Sequence, residues 1–473
     1  MASAGTVFLD RINFGLITSL HIVWPPLTIG LSALLLYWEW RWLKTGHPEH
    51  YRARRFFEKI FLVNFAVGVV TGVTMEMAFG MFFGPFAKAA GPVFGPLLGI
   101  ETISAFMVEA SFIGLMVFGW GRMHKRMHLL ATAMVAVTTS LSAVWITTAN
   151  SWMQTPTGVT LRHDQFNVTS WSAALANPDM GYAVPHMLVA CVLSAVFVVG
   201  AISAWSIAHG RAPQMFARAL KFVILVGLIA VPVQLWLGDS LGLVVAHDQP
   251  AALAAMEGHW HTNAPGQPAG WNVLAVPDAA KGKNSFAVQV PYMLSLLETH
   301  SLTGQVRGLD SFTKAHRPDV WVPFYGFRAM VGIWALMLAL LAWSAWRWWR
   351  NGLSTDALRR EPWLIRAWTA SALLPYLAIW AGWWTREEAR QPWVVYGLMT
   401  TSQGASHLSV AELLAWMGAI LVFALLAWGV AWIIMVRIVR DGPSAESGPD
   451  QPEQAQSPPG HTLIAGAPSE ASS

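Results

Sequence analysis

Nine long apolar segments constrain this chain more than any other feature of its sequence. Each approaches the length, about 20 residues, that an α-helix needs to cross the roughly 30 Å of hydrocarbon in a bilayer. The segments are 15–40, 60–82, 98–120, 129–149, 184–206, 220–238, 324–346, 366–385 and 409–436. Because lipid offers no partner for an unpaired backbone amide, they predict an all-α polytopic membrane protein with nine transmembrane helices.

The composition agrees with one helical membrane domain over residues 1–440. Hydrophobic residues make up 55% of the 473 residues and charged residues 12%, against roughly 25% charged in soluble proteins. The single cysteine, Cys191, excludes intramolecular disulfides and cysteine-held metal sites. The net charge of +4 is spread between the segments, which argues against nucleic acid. Residues 441–473, rich in Pro, Ser, Glu and Gly, predict a disordered cytoplasmic tail.

The distribution of basic residues predicts the orientation. The first, third, fifth and seventh connections and the C-terminal flank hold 19 of the 30 Lys and Arg residues. Five of the others lie in the long connection 239–323, which the positive-inside rule discounts. We therefore expect the N-terminus outside, the C-terminus in the cytoplasm and 239–323 outside. The N-terminus lacks the pattern of a secretory signal peptide, so we expect the first segment to be a membrane anchor.

Two carboxylates, Glu101 and Glu109, lie inside the third apolar segment. In a continuous α-helix they would be about 12 Å apart along the axis and about 80° apart around it, so both could line one interior face. An intramembrane carboxylate costs on the order of 3 kcal/mol or more, which favours a function with protons, ions or metals. The alternative is pairing with a cation at a helix end, although the segment itself contains no Lys or Arg.

Other polar side chains share a predicted depth toward the outer face, as a cofactor cluster near one surface would require. They are His21, Glu76, Glu101, His186, Met330 and Glu387. Each also has a structural alternative: the histidines could be hydrogen-bond donors and Met330 a core residue. Five histidines in or beside the predicted cytoplasmic loops are expected to be solvated, namely His47, His50, His124, His128 and His209.

Six sequence motifs together carry a resemblance to a known family. They are RINFGLITSLHIVWPPLTIGL (11–31), GIETISAFMVEASFIGLMVFGW (99–120), WITTANSWMQTPTG (145–158), NPDMGYAVPH (177–186), FRAMVG (327–332) and GWWTREEARQPWVVYG (382–397). With these motifs in this order, the chain resembles subunit I of the cytochrome bd quinol oxidases. The interval 239–323 resembles the family's quinol loop in its shorter form, as in the branch called cyanide-insensitive oxidases.

The resemblance implies three haems. His186 and Met330 would be the axial ligands of a low-spin haem b, a pair that favours electron transfer over oxygen binding. Arg328 would lie beside that haem, with its charge available to propionates. His21 and Glu387 would hold the two haems of the oxygen-reducing site, one high-spin haem b and one haem d (or a third haem b). Of these two ligands, His21 is assigned to haem d.

The resemblance also implies roles around the oxygen site. Glu101 would approach the haem d iron from the side opposite its ligand, and Glu109 would lie on the proton route from the cytoplasm. Trp383 would lie between haems, and Arg390 would be a propionate partner. Electrons would pass from quinol to the haem of His186 and then to the paired haems.

The chain departs from the family pattern at two positions. Ala389 replaces the glycine of the usual GRQPW, which would add strain if that position needed a positive φ. In the quinol loop, Ala252 occupies the position of the usual lysine, while Glu257 is retained. Glu257 is a candidate general base for the hydroxyl proton of a quinol. The missing cation at Ala252 means that other groups would have to orient the substrate.

The expected protein is therefore the haem-containing subunit of a terminal quinol oxidase in a bacterial cytoplasmic (inner) membrane. It would oxidise quinol at the outer face and reduce dioxygen to water, with charge separation but no proton pump. Its expected partners are subunit II, a small single-helix subunit and membrane lipid. Two alternatives remain: a b-type cytochrome that only relays electrons, and a haem-free proton-coupled transporter in which Glu76, Glu101 and Glu109 bind ions.

Overall fold

The computed structural model describes residues 4–406 and 408–443. Within these residues the predicted nine membrane-length apolar helical spans are confirmed. The spans are Gly5–Thr45, Pro48–Phe82, Gly84–Phe118, Lys125–Gln154, Met180–Ala208, Pro213–Asp248, Trp321–Asn351, Pro362–Ala389 and Val410–Asp441. The predicted tail after 440 lies, apart from residues 441–443, outside the described residues.

Seventeen α-helices build the described part of the chain. They are α1 (Ala4–His21), α2 (Trp24–Thr45), α3 (Pro48–Phe82), α4 (Gly84–Glu101), α5 (Val108–Phe118), α6 (Lys125–Gln154), α7 (Trp171–Leu175), α8 (Met180–Ala208), α9 (Pro213–Asp248), α10 (Pro250–Glu257), α11 (Met293–Thr299), α12 (Trp321–Asn351), α13 (Thr355–Arg359), α14 (Pro362–Ala370), α15 (Leu374–Ala389), α16 (Thr401–Gly404) and α17 (Val410–Asp441). Short 3₁₀ turns lie at Leu309–Ser311, Lys314–His316 and Ser371–Leu373, and a π-helical segment at Thr102–Met107.

Three antiparallel hairpins, which the sequence analysis did not predict, lie in the connections. They pair β1 (Val159–Arg162) with β2 (Gln165–Val168), β3 (Trp271–Asp278) with β4 (Lys283–Val290), and β5 (Trp393–Val395) with β6 (Met399–Thr400). Each sheet has only two strands, so the fold class remains all-α.

Several helices extend beyond the apolar segments that predicted them. The third span begins at Gly84 rather than 98, and the sixth continues to Asp248 rather than 238. In the sixth span, the residues Gly238–Asp248 continue the helix although they include polar side chains, because hydrogen bonding in a helix does not require an apolar sequence. The long connection consequently covers 249–320 instead of 239–323.

A break in the first span sets the position of His21. The helix α1 ends at His21, and α2 begins at Trp24 with prolines in its first turn. Pro25 and Pro26 have no N–H to donate, so the hydrogen-bond ladder cannot continue across this point. His21 is therefore the last residue of a helix and lies 17 residues after its start, because α1 begins at Ala4 rather than at the predicted residue 15.

The third span is not one continuous α-helix. A π-helical segment at Thr102–Met107 directly follows Glu101 and precedes the helix that contains Glu109. The predicted angle of about 80° between these carboxylates assumed uninterrupted α geometry, so it does not apply. Wide turns of this kind are frequent at functional sites.

The connections meet at two ends of the helical bundle. At one end, the backbone N–H of Ser406 donates to Phe82 O at 2.8 Å, and the Gln249 side chain donates to Gln154 O at 2.7 Å. We name this the loop end because it includes the long connection 249–320. At the opposite end, Arg211 donates to the backbone oxygen of Val439.

A buried ionic network stabilises the opposite end. Arg54, Glu39, Glu58 and His128 are each no more than 3% exposed. Glu39 accepts hydrogen bonds from Arg54 at 3.1 Å and from His128 Nδ1 at 2.7 Å, while Arg54 also pairs with Glu58. The prediction that His128 is solvated is therefore wrong, although His124 and His209 are exposed as expected.

Candidate functional site

The imidazole of His21 is oriented by a threonine on the neighbouring helix α3. Its Nδ1 lies 3.0 Å from Thr71 Oγ1, and that hydroxyl donates to Val67 O at 2.8 Å. Since the threonine proton is already used, the hydroxyl oxygen accepts from His21 Nδ1–H. The Nε2 lone pair is then free, which is the tautomer that a metal ligand requires.

A glycine on α3 makes room for this ring. A Cβ at Gly72 would lie only 3.2 Å from His21 Cε1. Any side chain at residue 72 would have to displace the imidazole. The position of His21 thus depends on close approach of the two helix backbones, as is common where small residues line helix contacts in membranes.

His186 lies in the second turn of α8 and contacts α9. One ring nitrogen, Nε2, lies 3.1 Å from Gln234 Nε2, and the other, Nδ1, is buried with no hydrogen-bond partner among the described residues. A Cβ at Gly238 would come within 3.2 Å of the ring. A buried nitrogen without a partner is unfavourable unless another group occupies that position. The Gln234 amide oxygen also lacks a partner; with that oxygen turned toward Nε2–H, Nδ1 keeps the lone pair that an axial ligand needs.

Met330 lies nine residues into α12, facing α15. A Cβ at Gly382 would lie 2.9 Å from the Met330 sulfur, so the helix backbone lies directly behind the thioether. The helices α8 and α12, which carry His186 and Met330, both pack against α9 and α15. The structure therefore places the two predicted axial ligands on helices that share neighbours.

Glu387 ends the eighth span, as predicted, and takes part in a polar cluster. Its carboxylate accepts a hydrogen bond from Asn150 at 2.8 Å and forms an ion pair with Arg390. Arg390 is only 3% exposed and also contacts Trp393 O. The predicted ligand and the predicted propionate partner are thus in direct contact.

Sequence reasoning missed three members of this cluster. Arg386 donates to Asn150 Oδ1 at 2.7 Å and forms a buried ion pair with Asp179. All three lie inside motifs that carried the family resemblance, which was the available signal. Asp179 is 1% exposed, and a carboxylate that is so buried requires a paired charge.

Helix α15 also joins this cluster to His21. The indole of Trp380 donates to Ser19 O at 2.7 Å, and Glu388 forms an ion pair with Arg11. The helices that carry His21 and Glu387 are therefore neighbours. Trp383, predicted to lie between haems, is half-buried on α15 one turn before Glu387.

Ala389 occupies an ordinary helical position. It is the last residue of α15, and its φ is not positive. The strain that a positive φ would have caused is therefore absent, and the replacement of glycine is accommodated by the helix.

The two carboxylates of the third span lie on either side of its π-helical segment. Glu101 accepts a hydrogen bond from Ser142 at 2.6 Å, and Glu109 is 5% exposed. Glu101 lies 17 residues after Gly84, about 26 Å along the span. The prediction that Glu101 begins the third helix is wrong, because the helix extends about four turns beyond the apolar segment. Glu76 is exposed on α3.

In the long connection, Glu257 closes α10 as predicted and is 3% exposed. Arg328 donates to its Oε2 at 2.6 Å and also to Asn272 O and Met256 O. Burial raises the pKa of the Glu257 carboxyl, and the Arg328 guanidinium opposes that rise. Arg328 thus supplies a cation at this site, while Ala252 is 1% exposed and supplies none.

A second carboxyl of the long connection, Glu298 on α11, was not predicted. Its Oε2 is buried without a hydrogen-bond partner among the described residues. Burial, with the charges of Glu257 and Asp239, raises the pKa of Glu298 to about 8. The sequence offered no signal for this environment, because it depends on the docking of α11 against α9.

The ligand candidates fit haem. The described residues contain no group of three or more His, Cys, Asp or Glu side chains suited to a bare metal ion. They do contain a buried histidine nitrogen without a partner at His186 and a thioether at Met330, and haem iron is bound by such single axial ligands. The fold and site together define a class: a polytopic membrane protein whose helices carry candidate haem ligands.

Comparison with known proteins agrees with this class. The family description "Cytochrome bd terminal oxidase subunit I" matches residues 9–443, so the chain belongs to that family. "Cytochrome bd ubiquinol oxidase subunit 1" of Bacillus subtilis (strain 168) is 32% identical over 439 residues, 90% of each chain. "Cytochrome bd-II ubiquinol oxidase subunit 1" of Escherichia coli (strain K12) is 31% identical, covering 95% of this chain and 99% of the relative.

A solved structure supports the same fold. The bd oxidase from Geobacillus thermodenitrificans matches with a TM-score of 0.85 and 27% identity, covering 94% of this chain and 100% of that chain. Family membership confirms the predicted enzyme class, a quinol:oxygen oxidoreductase of the cytochrome bd type in a respiratory chain. The bd oxidases are multi-subunit haem proteins, and this chain is a multi-pass membrane subunit.

Proposed function

We propose that this chain is the haem-containing subunit of a terminal oxidase in a bacterial cytoplasmic (inner) membrane. The complex oxidises quinol at the outer face and reduces dioxygen to water, separating charge without a proton pump. The observation that carries the proposal is the contact between Glu257 and Arg328, two residues before Met330. Through this contact, the buried proton acceptor Glu257 is bound to α12 less than one helical turn from Met330, the candidate iron ligand.

At the loop end, we assign Glu257 to accept a quinol hydroxyl proton. Oxidation of a quinol to a quinone releases two electrons and two protons, so a base must be available next to the hydroxyl. Arg328 keeps the carboxylate oriented and favours its ionised form, since its Nη2 donates to Oε2. This ion pair supplies the cation that Ala252 lacks.

Four side chains are assigned as ligands. His186 and Met330 would hold the low-spin haem b, and His21 and Glu387 would hold the high-spin haem b and the haem d (or third haem b), with His21 assigned to haem d. Haem supplies electron transfer and oxygen reduction when bound. The chain's contribution is to keep His21 in the tautomer with a free Nε2 and to leave His186 Nδ1 unpaired.

Around the oxygen site, we assign positioning roles to residues of α15. Arg390, which directly follows α15, is buried and pairs with Glu387, and Arg386 is half-buried and pairs with Asp179. Guanidinium groups suit carboxylates such as propionates. Trp383 presents a half-buried indole one turn away. In a position between haems, the Trp383 ring would exclude water and pack against planar groups.

We assign Glu109 and Glu101 to proton delivery from the cytoplasm. Glu109 lies eight residues closer to the opposite end of the third span than Glu101, and it is buried within the bundle. The Ser142 hydroxyl donates to Glu101 and so orients its carboxyl. Buried carboxyls of this kind are typical of proton relays in membrane proteins.

The proposed orientation and partners follow from charge and exposure. Because basic residues concentrate at the opposite end, we place that end in the cytoplasm and the N-terminus outside. The third, seventh and ninth spans are largely uncovered: at most 22% of the most apolar 18-residue stretch in each is buried. These helix faces are available to subunit II, to a small single-helix subunit and to lipid.

The function is tested with the purified complex. We expect b-type and d-type bands in a reduced-minus-oxidised absorption spectrum, and oxygen uptake driven by quinol. Bands of b type without a d band would support three b haems. A spectrum without haem bands would contradict the proposal, as would b bands without quinol-driven oxygen uptake, which would favour a cytochrome that only relays electrons.

The orientation is tested by labelling introduced cysteines. Cys191 is 0% exposed, so the native chain offers little background. A membrane-impermeant maleimide added to right-side-out vesicles should label Lys281→Cys in the long connection. It should label Arg122→Cys, an exposed residue between α5 and α6, only after permeabilisation. The reverse pattern would overturn the proposed topology.

A further inference from the structure

The β3–β4 hairpin of the long connection turns its polar side chains toward the protein. Asn272 donates to the backbone oxygens of Glu257 and Gly258, and Gln289 donates to Asn272 Oδ1 at 2.7 Å. Asn284 donates to Gly258 O at 3.0 Å. The inner face of this hairpin is therefore a hydrogen-bonded lining around the Glu257 turn.

The outer face of the same hairpin is apolar and uncovered. Leu274 is paired across the strands with Val288, and Val276 with Phe286. These four side chains are 60%, 46%, 42% and 58% exposed, respectively. Side chains alternate between the two faces of a strand, and the bulge between Asn272 and Leu274 adds one residue to β3. The four apolar side chains therefore lie on the face opposite Asn272 and Gln289. Directly opposed side chains also contact each other, which makes the four one continuous surface.

This arrangement inverts the pattern of a hairpin in water. A two-stranded sheet on a soluble surface normally turns apolar residues inward and polar residues to solvent. A contiguous exposed apolar patch on such a hairpin marks an interaction site. The occupant of this surface must itself be apolar, because the four side chains offer no hydrogen-bonding group.

The position of the hairpin indicates what the occupant is. Tyr325 donates to Ala275 O at 2.9 Å, and Arg328 donates to Asn272 O. Strand β3 therefore lies beside the first two turns of α12. That helix has 31 residues and is about 46 Å long, which exceeds the roughly 30 Å hydrocarbon core, so its ends lie in the headgroup region.

Neighbouring side chains have the composition of a membrane interface. Trp321 and Tyr325, in the first turns of α12, are 48% and 38% exposed, and such aromatic residues concentrate at headgroup level. Lys281 and Lys283, at the turn of the hairpin, are exposed. Cations beside an apolar face are typical of segments that lie on anionic bilayers.

We propose that the outer face of the β3–β4 hairpin docks onto the bilayer interface at the loop end, with lipid acyl chains against Leu274, Val276, Phe286 and Val288. The inner face then holds the Glu257 turn at the lipid boundary. If the proposed function is correct, this places the proton acceptor where a membrane-dissolved quinol arrives. The docking itself does not depend on that function.

The docking is tested by fluorescence quenching in the intact complex, reconstituted into nanodiscs. An environment-sensitive fluorophore is attached to Phe286→Cys, with Lys314→Cys in an exposed polar part of the same connection as the matched control. The fluorescence intensity of each label is measured in brominated lipid and in ordinary lipid. The ratio of the two intensities removes any constant quenching by haem. Iodide is the aqueous quencher.

We expect bromolipid to quench the label at residue 286 at least twofold and iodide to have little effect, with the opposite pattern at residue 314. Val288→Cys provides a second reporter on the same face. Equal iodide quenching of residues 286 and 314 would overturn the proposal, because the face would be in water. Protection of residues 286 and 288 from both quenchers would also overturn it, because a protein surface would then cover the face.

Discussion

Arg328 donates a hydrogen bond to the carboxylate of Glu257 at 2.6 Å, and the two side chains are only 10% and 4% exposed. The pair joins the long connection to the second turn of α12, two residues before Met330. Because removing one partner of a buried ion pair leaves the other charge uncompensated, such a change typically destabilises by about 3–5 kcal/mol. A variant that tests the chemistry of Glu257 should therefore retain an acceptor for Arg328.

Glu257→Gln meets this requirement, because the amide oxygen still accepts from Arg328 but the group cannot accept a proton. Loss of a general base lowers rates by about 10²–10⁴-fold. We expect quinol-driven oxygen uptake to fall within this range while the haem spectra stay unchanged. Electrons from an artificial donor that bypasses the connection should still reduce oxygen.

Asp278→Asn is the matched control for this change, since Asp278 lies in the same connection and pairs only with exposed groups. It should leave uptake near the native rate. Normal quinol oxidation by Glu257→Gln would show that another group accepts the proton.

Met330→Leu should remove the soft axial ligand with little change in volume. We expect the low-spin haem b signal to become high-spin or to disappear, because leucine offers no lone pair. His186→Ala should produce the same spectral change. Optical and EPR spectra of the purified complex measure both effects.

Met337→Leu controls for the substitution itself. Met337 lies on the same helix and is 2% exposed, so it tests packing without ligation. An unchanged low-spin spectrum in both Met330→Leu and His186→Ala would exclude the assigned axial pair.

Glu109→Gln keeps the shape of the side chain and part of its hydrogen bonding but cannot release a proton. We expect steady-state oxygen consumption to fall by at least about 10²-fold, in the range for loss of a proton-transfer group. The haem spectra should not change. Glu412→Gln, an exposed cap of α17, should retain full activity, and full activity of Glu109→Gln would restrict that residue to a structural role.

Glu298 should make the stability of the long connection depend on pH. Its pKa is raised from 4.5 to about 8, so between these values the native state binds more protons than the unfolded state. The neutral Glu298 carboxyl therefore makes its full contribution to the free energy of unfolding below about pH 4.5. That contribution is lost as the pH rises through 8. Glu298→Gln stays neutral throughout.

We expect the Glu298→Gln variant to become increasingly more stable than the native protein, in free energy of unfolding, as the pH rises from 5 to 9. Hydrogen exchange of the α11 amides measures it locally. A difference that is constant with pH would mean that Glu298 titrates normally.

The sequence by itself determined the membrane architecture and the identity of the ligand candidates. Nine apolar segments sufficed because a bilayer requires each span to satisfy its backbone internally, which is a local property of about 20 consecutive residues. The motifs identified His21, His186, Met330 and Glu387 as a set. Glu257 at the end of a short helix was also predictable, since the AALAAM stretch before it is locally helical.

The ends of the helices were less predictable, because a helix can continue past the last residue of its apolar segment. The third span shows this most clearly. It begins 14 residues before the apolar segment and contains a π-helical part directly after Glu101. The inserted π geometry depends on packing that no local pattern encodes.

Only the tertiary structure decided which side chains meet. Arg328 was expected beside a haem, and its side-chain donors contact the long connection, 56–72 residues earlier in the chain. His128 was expected in water and is buried against Glu39, and the β3–β4 hairpin was not expected. The periodicity of a segment indicates which face of a helix or strand is apolar. It does not indicate which distant segment packs against that face, because that choice depends on how the whole chain folds.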